Sequence, residues 1–215
     1  MIYSYSKINT YLQCPAKFDF IHHSMLVKDE TSAYGDEGFE IHSELEQYCA
    51  AGKPLMKAAK CQPYADKIIA AKGQHFYEKK VAITKDFTPC EFFDNSNCFL
   101  RGVIDVLIRN NQKSTIIDWK WAKRKEDNDL QMLIFAVYEF INNPQCETIT
   151  TSLIWLKEDL IDSATYVRSD LDKYKTKILK PIQTIELDLT TGAFVTRKSG
   201  LCSFCPAKKI CPAFT

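Results

Sequence analysis

Residues 99–121 read FLRGVIDVLIRNNQKSTIIDWKW and carry the clearest structural pattern in the chain. Two runs rich in β-branched and aromatic residues, Leu100–Arg109 and Ser114–Trp121, flank a polar stretch, Asn110–Lys113. Two such runs around a polar turn are typical of a β-hairpin. The stretch therefore predicts a sheet, and the rest of the chain is interpreted outward from it.

The register of this hairpin brings two acidic side chains together. With the four polar residues as the turn, Arg109 pairs with Ser114, and counting back places Asp105 directly opposite Asp118. Directly opposed residues have Cβ atoms about 5 Å apart, where like charges destabilise a sheet. A divalent cation between the two carboxylates converts that repulsion into ligation, so the hairpin predicts a metal site.

Lys120 completes a set of residues suited to cutting a phosphodiester. Side chains alternate along a strand, so Lys120 shares a face with Asp118, while Ile117, Trp119 and Trp121 face a core. A metal neutralises phosphate charge and lowers the pKa of a bound water, and a nearby ammonium group steadies the water or the developing charge. The alternative is an amphipathic hairpin whose Asp118–Lys120 pair is merely solvated.

The cysteines predict a second site that joins the two ends of the chain. Cys14 lies near the start, and Cys202, Cys205 and Cys211 form a C-x2-C-x5-C run near the end, a density that suits a soft metal or an iron-sulfur cluster. Nine cysteines and an N-terminus without signal-peptide character favour reduced thiols in a cytoplasmic protein. Zinc held by four thiolates is the main alternative. The cysteines expected to be small buried hydrophobes are Cys49, Cys61, Cys90, Cys98 and Cys146.

Composition is that of an ordinary globular protein. The chain has 215 residues, 46% of them hydrophobic and 12% aromatic, which is enough for a full core in one domain. No apolar stretch is long enough to span a membrane, and a net charge of +1 excludes a strongly basic nucleic-acid coat. DNA binding would need a local patch, for which the candidates are Lys120, Lys123, Arg124 and Lys125.

Further elements are expected around the hairpin. Ser6 can cap a helix that ends before Cys14-Pro15, and His42 lies beside the apolar stripe of a helix over 39–49. Polar residues 28–38 suggest a loop that orders on substrate. The other predicted elements are helices after Pro63, over 127–142 and over 171–185, the last kinked or shortened by Pro181, and strands from residue 81, over 148–156 and over 164–168.

Four short motifs resemble the RecB-like branch of the PD-(D/E)XK nucleases and occur in that family's order. They are Gly38-Phe39-Glu40-Ile41-His42, Gly102-Val103-Ile104-Asp105, Ile117-Asp118-Trp119-Lys120 and Gln131. Their joint occurrence is more specific than any one of them alone. The resemblance implies an α/β fold with a restriction-endonuclease-like core, a mixed central β-sheet flanked by helices, in a single nuclease domain over 1–215.

The resemblance also assigns roles to the site residues. It implies that Mn²⁺ or Mg²⁺ is held by His42, Asp105, Asp118 and the backbone carbonyl of Trp119. Asp105, Asp118 and Lys120 would be the catalytic residues. By resemblance, Gln131 would open the helix motif that contacts DNA and supports the active site. Further candidates for DNA contact are Tyr138, one turn beyond Phe135, and the patch residues Lys123 and Arg124, although Phe135 and Tyr138 are better interpreted as core aromatics.

The terminal cysteines resemble those of iron-sulfur members of this branch, the CRISPR-associated RecB-like exonucleases and the nuclease domain of AddB. That resemblance implies a [4Fe-4S] cluster on the four cysteines, with residues 1–25 and 195–215 forming a clasp. Two positions depart from the family pattern. Phe135 stands where the family often has Tyr, and Trp121-Ala122 follow the motif lysine where Thr or Ser and Gly are more usual.

These observations predict a metal-dependent DNA exonuclease or end-processing nuclease that acts on single-stranded or end-bearing DNA. A DNA-end-binding or assembly subunit that keeps the fold without cutting is the alternative from another class. Cluster-based redox sensing is a third interpretation. No membrane contact is expected. A homo-oligomer, or partner proteins of recombination or CRISPR adaptation, is suggested by resemblance alone.

Overall fold

A mixed five-stranded sheet lies at the centre of the chain. The computed structural model describes residues 1–28, 33–124 and 129–214. Within them the strands are β1 (Gln74–Ile83), β2 (Leu100–Asn110), β3 (Lys113–Lys120), β4 (Thr148–Trp155) and β5 (Leu160–Val167). They lie in sequence order across the sheet; β3 and β4 are parallel, and all other neighbours are antiparallel.

Helices flank this sheet, which confirms the predicted α/β class with a mixed central sheet. In chain order, the helices of the described residues are α1 (Tyr5–Gln13), α2 (Pro15–Phe18), α3 (Ala33–Ala51), α4 (Gln62–Ile69), α5 (Asp129–Asn142) and α6 (Leu171–Thr191), of which α3, α4 and α5 pack on the sheet. A π-helical turn covers Asp19–His23, and short 3₁₀ turns cover Ala59–Cys61, Arg168–Asp170, Gly200–Phe204 and Lys208–Ile210. No helix in the described part of the chain has the length and apolarity needed to cross a membrane.

Both faces of the sheet are covered by helices. Val106 of β2 belongs to a buried apolar cluster with Ile41 of α3 and with α4. Three residues along the same strand, Arg109 meets Glu139 of α5 instead. Because side chains alternate along a strand, α5 covers the face opposite α3 and α4. The face that carries Asp118 is therefore also buried, whereas the sequence suggested one core face and one open face.

The chain divides into two compact units. The first comprises residues 1–2 and 32–174 and contains the sheet with α3, α4 and α5. The second comprises residues 3–31 and 175–215 and contains α1, α2 and most of α6. Both ends of the chain thus belong to the second unit, which extends well beyond the segments assigned to the clasp.

Within the second unit, hydrogen bonds join the two ends of the chain. The Tyr11 hydroxyl donates to the Asp188 carboxylate at 2.6 Å, and the Ala16 N–H donates to the Val195 carbonyl at 3.1 Å. Helix α6, which carries Asp188, continues through Pro181 to Thr191. The predicted shortening at this proline therefore does not occur. Packing of its buried side chains outweighs the one backbone bond that a proline removes.

Other helix boundaries also differ from prediction. Ser4 caps α1 in place of Ser6, because its hydroxyl accepts the Lys7 N–H at 3.3 Å. Helix α3 begins at residue 33, so the later part of the predicted substrate loop is helical. Residues 29–32 of that loop, and residues 125–128 at the predicted start of α5, lie outside the described residues.

The strands confirm the hairpin and correct its neighbours. Arg109 pairs with Ser114 as predicted, around a two-residue loop. The strand predicted from residue 81 is instead the end of β1, and the strand predicted from residue 164 begins at Leu160. Both missed segments mix polar and apolar residues without a clear alternation, and pairing with β2 and β4 supplies the strand conformation that their own sequence does not indicate.

Glu139 anchors α5 to the sheet although only 1% of its surface is exposed. Its carboxylate accepts hydrogen bonds from Arg109 at 2.9 and 2.8 Å, from the Ser114 hydroxyl at 2.7 Å and from Asn143 at 3.0 Å. A buried carboxylate is stable only when it is paired and hydrogen-bonded in this way.

We expect Glu139→Ala to lower the free energy of unfolding by about 3 kcal/mol, because it leaves the Arg109 guanidinium without its partner. Urea unfolding monitored by circular dichroism measures the change. The matched control is Glu147→Ala, which removes an exposed carboxylate 3.8 Å from Arg168 and should cost at most about 0.5 kcal/mol. Equal costs in the two variants would contradict the anchoring role.

Candidate active site

The hairpin opens beside the two predicted aspartates. Its ladder runs from the loop until Val106 pairs with Ile117. Asp105 and Asp118 come next along their strands, but in the described strands no ladder pair joins them. Instead, Asp105 Oδ2 accepts the Trp119 backbone N–H at 2.8 Å. The two aspartates follow the hairpin ladder in the predicted register. They lie where the strands separate, however, and do not form the ladder pair that was expected.

The direction of side chains along β2 changes at Asp105. A Cβ placed on Gly102 would lie 3.2 Å from Phe135 and 3.4 Å from Tyr138, so Gly102 faces α5. Val106 faces α3 and α4, although regular alternation would put both residues on one face. Asp105 is the one residue of this described stretch without a partner on β1. The register of β1 and β2 is the same on both sides of this break, so a local distortion at Glu78 and Asp105, without an inserted residue, changes the direction of the side chains.

Glu78 lies on β1 across from this break. Its φ of 46° is in the left-handed region, which residues other than glycine rarely adopt and which is retained mostly at functional sites. Ligand atoms of His42, Glu78 and Asp105 all lie within 4.8 Å of one another, the one such group found among the described residues. His42 Nδ1 is 3.3 Å from Asp105 Oδ2. The three side chains line an open cavity of about 390 Å³.

Sequence reasoning missed Glu78 as a candidate ligand. Glu78 lies in a polar run that contains no motif. The strand was predicted to begin at residue 81, three residues after Glu78. The usable signal was the pairing of β1 with β2. Tyr77 and Lys79 pair with the residues on either side of Asp105, which places Glu78 opposite it.

Asp118, Lys120 and Gln131 form a second polar group. Lys120 Nζ lies 2.6 Å from Asp118 Oδ2 and donates to Gln131 Oε1 at 2.8 Å. Gln131 Nε2 in turn donates to Asp118 Oδ1 at 2.8 Å. Asp118 is only 3% exposed, so this closed triangle holds the ammonium group in one position. Gln131 thus bridges Lys120 and Asp118.

The electrostatics of the site favour a cation. Burial raises the pKa of Asp118 to about 6, against the lowering effect of the Lys120 ammonium. Burial, together with the charge of Asp105, raises the pKa of Glu78 to about 7. Burial alone would lower the pKa of His42, but the hydrogen bond to Asp105 and the charge of that carboxylate outweigh it and raise the pKa. Two carboxyl groups with raised pKa values at one place indicate that a positive charge there would stabilise their ionised forms.

The donor set fits a divalent cation. His42 offers an imidazole nitrogen, and Glu78 and Asp105 offer carboxylate oxygens. Asp118 Oδ2 is buried and has no hydrogen bond of good geometry, although Lys120 is close, so it keeps acceptor capacity. Mixed nitrogen and oxygen donors suit Mn²⁺ as well as Mg²⁺.

The residues predicted to contact DNA differ in their exposure. Tyr138 is 0% exposed and packs beneath β2, so the prediction that it contacts DNA is wrong. Gln131 is 8% exposed and engaged by the site. Lys123 is exposed, and Arg124 is paired with Asp162 at 2.7 Å. DNA contact by Lys123 and Arg124, and metal ligation by the Trp119 carbonyl, stay predictions; Lys125 lies outside the described residues.

The four terminal cysteines lie near one another in the second unit. They line one cavity of about 180 Å³, and they are Cys14, Cys202, Cys205 and Cys211. The Arg197 N–H donates to Cys14 Sγ at 3.4 Å, and the Ser199 N–H donates to Cys202 Sγ at 3.3 Å. In the described part of the chain no three of these sulfurs lie within 4.8 Å of one another.

The remaining cysteines largely follow the prediction of buried hydrophobes. Cys61, Cys98 and Cys146 are buried, while Cys49 and Cys90 are partly exposed. Burial raises the pKa of Cys49 and of Cys90 to about 11, so neither is an activated thiolate.

Comparison with known proteins agrees with this geometry. The family model described as the PD-(D/E)XK nuclease superfamily matches residues 2–212. No curated protein matches the chain. Among solved structures, a protein from Eubacterium rectale named as a putative exonuclease has 14% identity and a TM-score of 0.52, over 95% of this chain and 86% of that one. The structure named SSO0001 has 14% identity and a TM-score of 0.44, over 97% of this chain and 86% of that one.

The chain therefore belongs to the PD-(D/E)XK nuclease superfamily, and its sheet with flanking helices is the restriction-endonuclease-like fold of that superfamily. Nucleases of this superfamily use divalent metals, which agrees with the acidic group around His42. The likeness to the Eubacterium rectale structure supports the fold.

We expect Glu78→Gln to weaken Mn²⁺ binding at least about tenfold, because a neutral amide replaces one charged oxygen of the group. Isothermal titration of the purified protein with Mn²⁺ measures the change. Glu46→Gln is the matched control, since Glu46 lines the same cavity but is not part of the ligand group. Unchanged affinity in Glu78→Gln would remove Glu78 from the metal site.

Proposed function

We propose that this chain is a metal-dependent DNA exonuclease or DNA-end-processing nuclease of the RecB-like branch, acting on single-stranded or end-bearing DNA. The proposal rests on two neighbouring groups of side chains. In the first, Asp118 and Gln131 hold Lys120, and the second consists of His42, Glu78 and Asp105. The hydrogen bond from the Trp119 N–H, next to Asp118, to Asp105 supports a single site for the two groups, as does the electrostatic effect of Asp118 and Lys120 on His42.

The residues divide the chemistry between them. A divalent ion held by His42, Glu78, Asp105 and Asp118 would neutralise phosphate charge and make a bound water more acidic. Lys120 presents an ammonium group whose position is set by a hydrogen bond to Gln131 and an ion pair with Asp118. It can orient the attacking water or stabilise the developing negative charge, and a group already held in place loses little entropy in doing so.

Asp105 is held in place by the protein backbone. The Trp119 N–H donates to one carboxylate oxygen, so the side chain is oriented before any ligand binds. His42 approaches the same oxygen from α3. Such orientation by neighbouring hydrogen bonds supports both metal affinity and catalytic rate.

Asp105→Ala and Lys120→Ala should each abolish Mn²⁺- or Mg²⁺-dependent degradation of end-labelled single-stranded DNA. The first removes a metal ligand and the second removes the charge that acts on the reacting phosphate. Gel analysis of labelled fragments measures the loss, and Lys177→Ala, which removes an exposed lysine of α6 outside the predicted site, is the control. Activity that survives both changes would reject the site.

The same assay distinguishes the nuclease from the alternative, a subunit that binds DNA ends without cutting them. Titration of wild-type protein with Mn²⁺ and labelled DNA would then show end binding without fragments. The Asp105→Ala protein would bind DNA as tightly as wild type in that case. Cleavage that depends on Mn²⁺ would eliminate this alternative.

We further propose that Cys14, Cys202, Cys205 and Cys211 hold a [4Fe-4S] cluster. All four line one cavity, and two of their sulfurs accept backbone N–H bonds of the kind that tune iron-sulfur clusters. A tetrahedral zinc site with Zn–S bonds of about 2.3 Å needs sulfurs about 3.8 Å apart. Such a zinc site on the same four cysteines is the alternative to the cluster.

Protein purified without oxygen should contain iron and acid-labile sulfide in equal amounts and absorb in the visible range. Cys205→Ser should lose most of that absorbance and unfold at lower temperature, because the clasp joins distant parts of the chain. Cys49→Ser, whose thiol is outside the cavity, is the matched control. Stoichiometric zinc without sulfide would favour the zinc alternative.

The setting of this activity is also part of the proposal. Reduced thiols fit a cytoplasmic location. DNA with a free end or a single-stranded segment is the expected partner, and a homo-oligomer or partner proteins in recombination or CRISPR adaptation remain predictions from resemblance.

A further inference from the structure

An aromatic and cationic cluster lies on the connection between β1 and β2. Phe92 and Phe93 follow one another, with ring centroids 5.0 Å apart and planes at 81°. Lys80 Nζ lies 5.0 Å from the Phe93 centroid and 5.8 Å from the Phe92 centroid, and the Arg101 guanidinium lies 5.1 Å from that of Phe92. Phe93 is 70% exposed, so most of its ring is available for contact.

The connection that carries these rings is held in one conformation. The Asp94 carboxylate accepts the N–H groups of Ser96 at 2.9 Å and Asn97 at 3.1 Å, and the Asn97 amide donates back at 2.8 Å. Arg101 Nη1 donates to the Phe92 carbonyl at 3.2 Å. The exposed ring is therefore presented by an ordered loop, which lowers the entropy lost when a ligand stacks on it.

The cluster faces the same side of the sheet as the metal site. Gly102 faces α5, so its neighbours Arg101 and Val103 face away from that helix. Asp105 contacts His42 of α3, on the side opposite α5. Asp105 and Arg101 thus point to one side of β2.

The distance between the cluster and the site suits a DNA strand. Four residues of β-strand separate Asp105 from Arg101, a span of about 13 Å, and Lys80 pairs with Val103 about halfway between them. Nucleotides are spaced about 3.4 Å apart along one strand of a duplex and farther apart in an extended strand. A strand with one phosphate at the metal site would place a base a few nucleotides away at Phe93.

Aromatic rings beside cations recognise unstacked bases in particular. Every base has a π-face that can stack on an aromatic ring, and lysine and arginine add contacts to the phosphates. In a duplex those faces are already covered by neighbouring bases, so an exposed ring gains little from double-stranded DNA. The chemistry of this cluster therefore selects a flexible single strand.

We propose that Phe93, with Phe92, Lys80 and Arg101, forms a base-stacking platform that holds an unstacked base of single-stranded DNA a few nucleotides from the phosphate at the metal site. This proposal rests on the proposed nuclease function and names its substrate class, single-stranded DNA or the single-stranded end of a duplex. Phe92 and the two cations hold the platform, and Phe93 provides the contact.

Binding measurements with Ca²⁺ in place of the active metal test the platform directly. Fluorescence anisotropy at fixed salt should show Phe93→Ala binding a labelled oligothymidine about 5- to 100-fold more weakly than wild type. Phe93→Trp should restore the affinity, whereas Phe93→Leu, apolar but without a π-face, should not. Met56→Ala, which removes another side chain with 76% exposure, is the surface control and should bind as wild type does.

An oligonucleotide series with one abasic position moved along the strand locates the contact. Wild type should lose affinity when the missing base falls at one position a few nucleotides from the end, and Phe93→Ala should show no such position. Equal binding of oligothymidine by wild type and Phe93→Ala, or an equal loss of affinity for blunt duplex, would overturn the platform.

A substrate without bases separates this proposal from the nuclease proposal. Hydrolysis of bis(p-nitrophenyl) phosphate by the wild type with Mn²⁺ reports the metal site alone. Hydrolysis without any effect of Phe93→Ala on DNA binding would keep the nuclease and reject the platform. No hydrolysis of either substrate, with base-dependent binding lost in Phe93→Ala, would keep the platform and reject the nuclease.

Discussion

The opening of the sheet between Asp105 and Asp118 is the constraint on which the rest of the site depends. Two carboxylates about 5 Å apart repel by about 3 kcal/mol at an effective dielectric constant of about 20. The fold relieves this repulsion by ending the ladder one step earlier and giving each carboxylate its own partners. Asp105 turns to the Trp119 N–H and to His42, and Asp118 turns to Lys120 and Gln131. Helices on opposite faces of one sheet thereby supply residues to one site.

The crossover from β3 through α5 to β4 sets the position of Gln131. Along β3, Ser114 and Asp118 are separated by about 13 Å, four residues of strand. Along α5, Glu139 and Gln131 are separated by about 12 Å, eight residues of helix. The two spans match, so the bonds from Ser114 to Glu139 and from Gln131 to Asp118 form together. The buried anchor at Glu139 therefore helps to fix the amide that accepts a hydrogen bond from Lys120.

The sequence was sufficient for those parts of the site that follow from local pattern. Hairpin register depends only on strand periodicity and the position of the turn, which is why Arg109 and Ser114 pair as predicted. Glu78 was out of reach because its role depends on pairing between separate strands and on a left-handed backbone angle that no local propensity indicates. Tyr138 was misassigned because its surroundings are set by Gly102, a contact between distant elements. Tertiary packing decides such positions.

The break in alternation at Asp105 lets one strand serve two environments. With regular alternation, Arg101 and Asp105 would share a face with Arg109, which lies under α5 against Glu139. The break at Asp105 instead turns Arg101 and Asp105 toward the side of α3, while Arg109 stays paired with Glu139. One half of β2 is thus part of the core, and the other half presents a metal ligand and a cation along a single line. The proposed DNA strand would follow this line from the proposed metal site to the proposed platform, because one backbone irregularity turns Asp105 and Arg101 to the same side of the sheet.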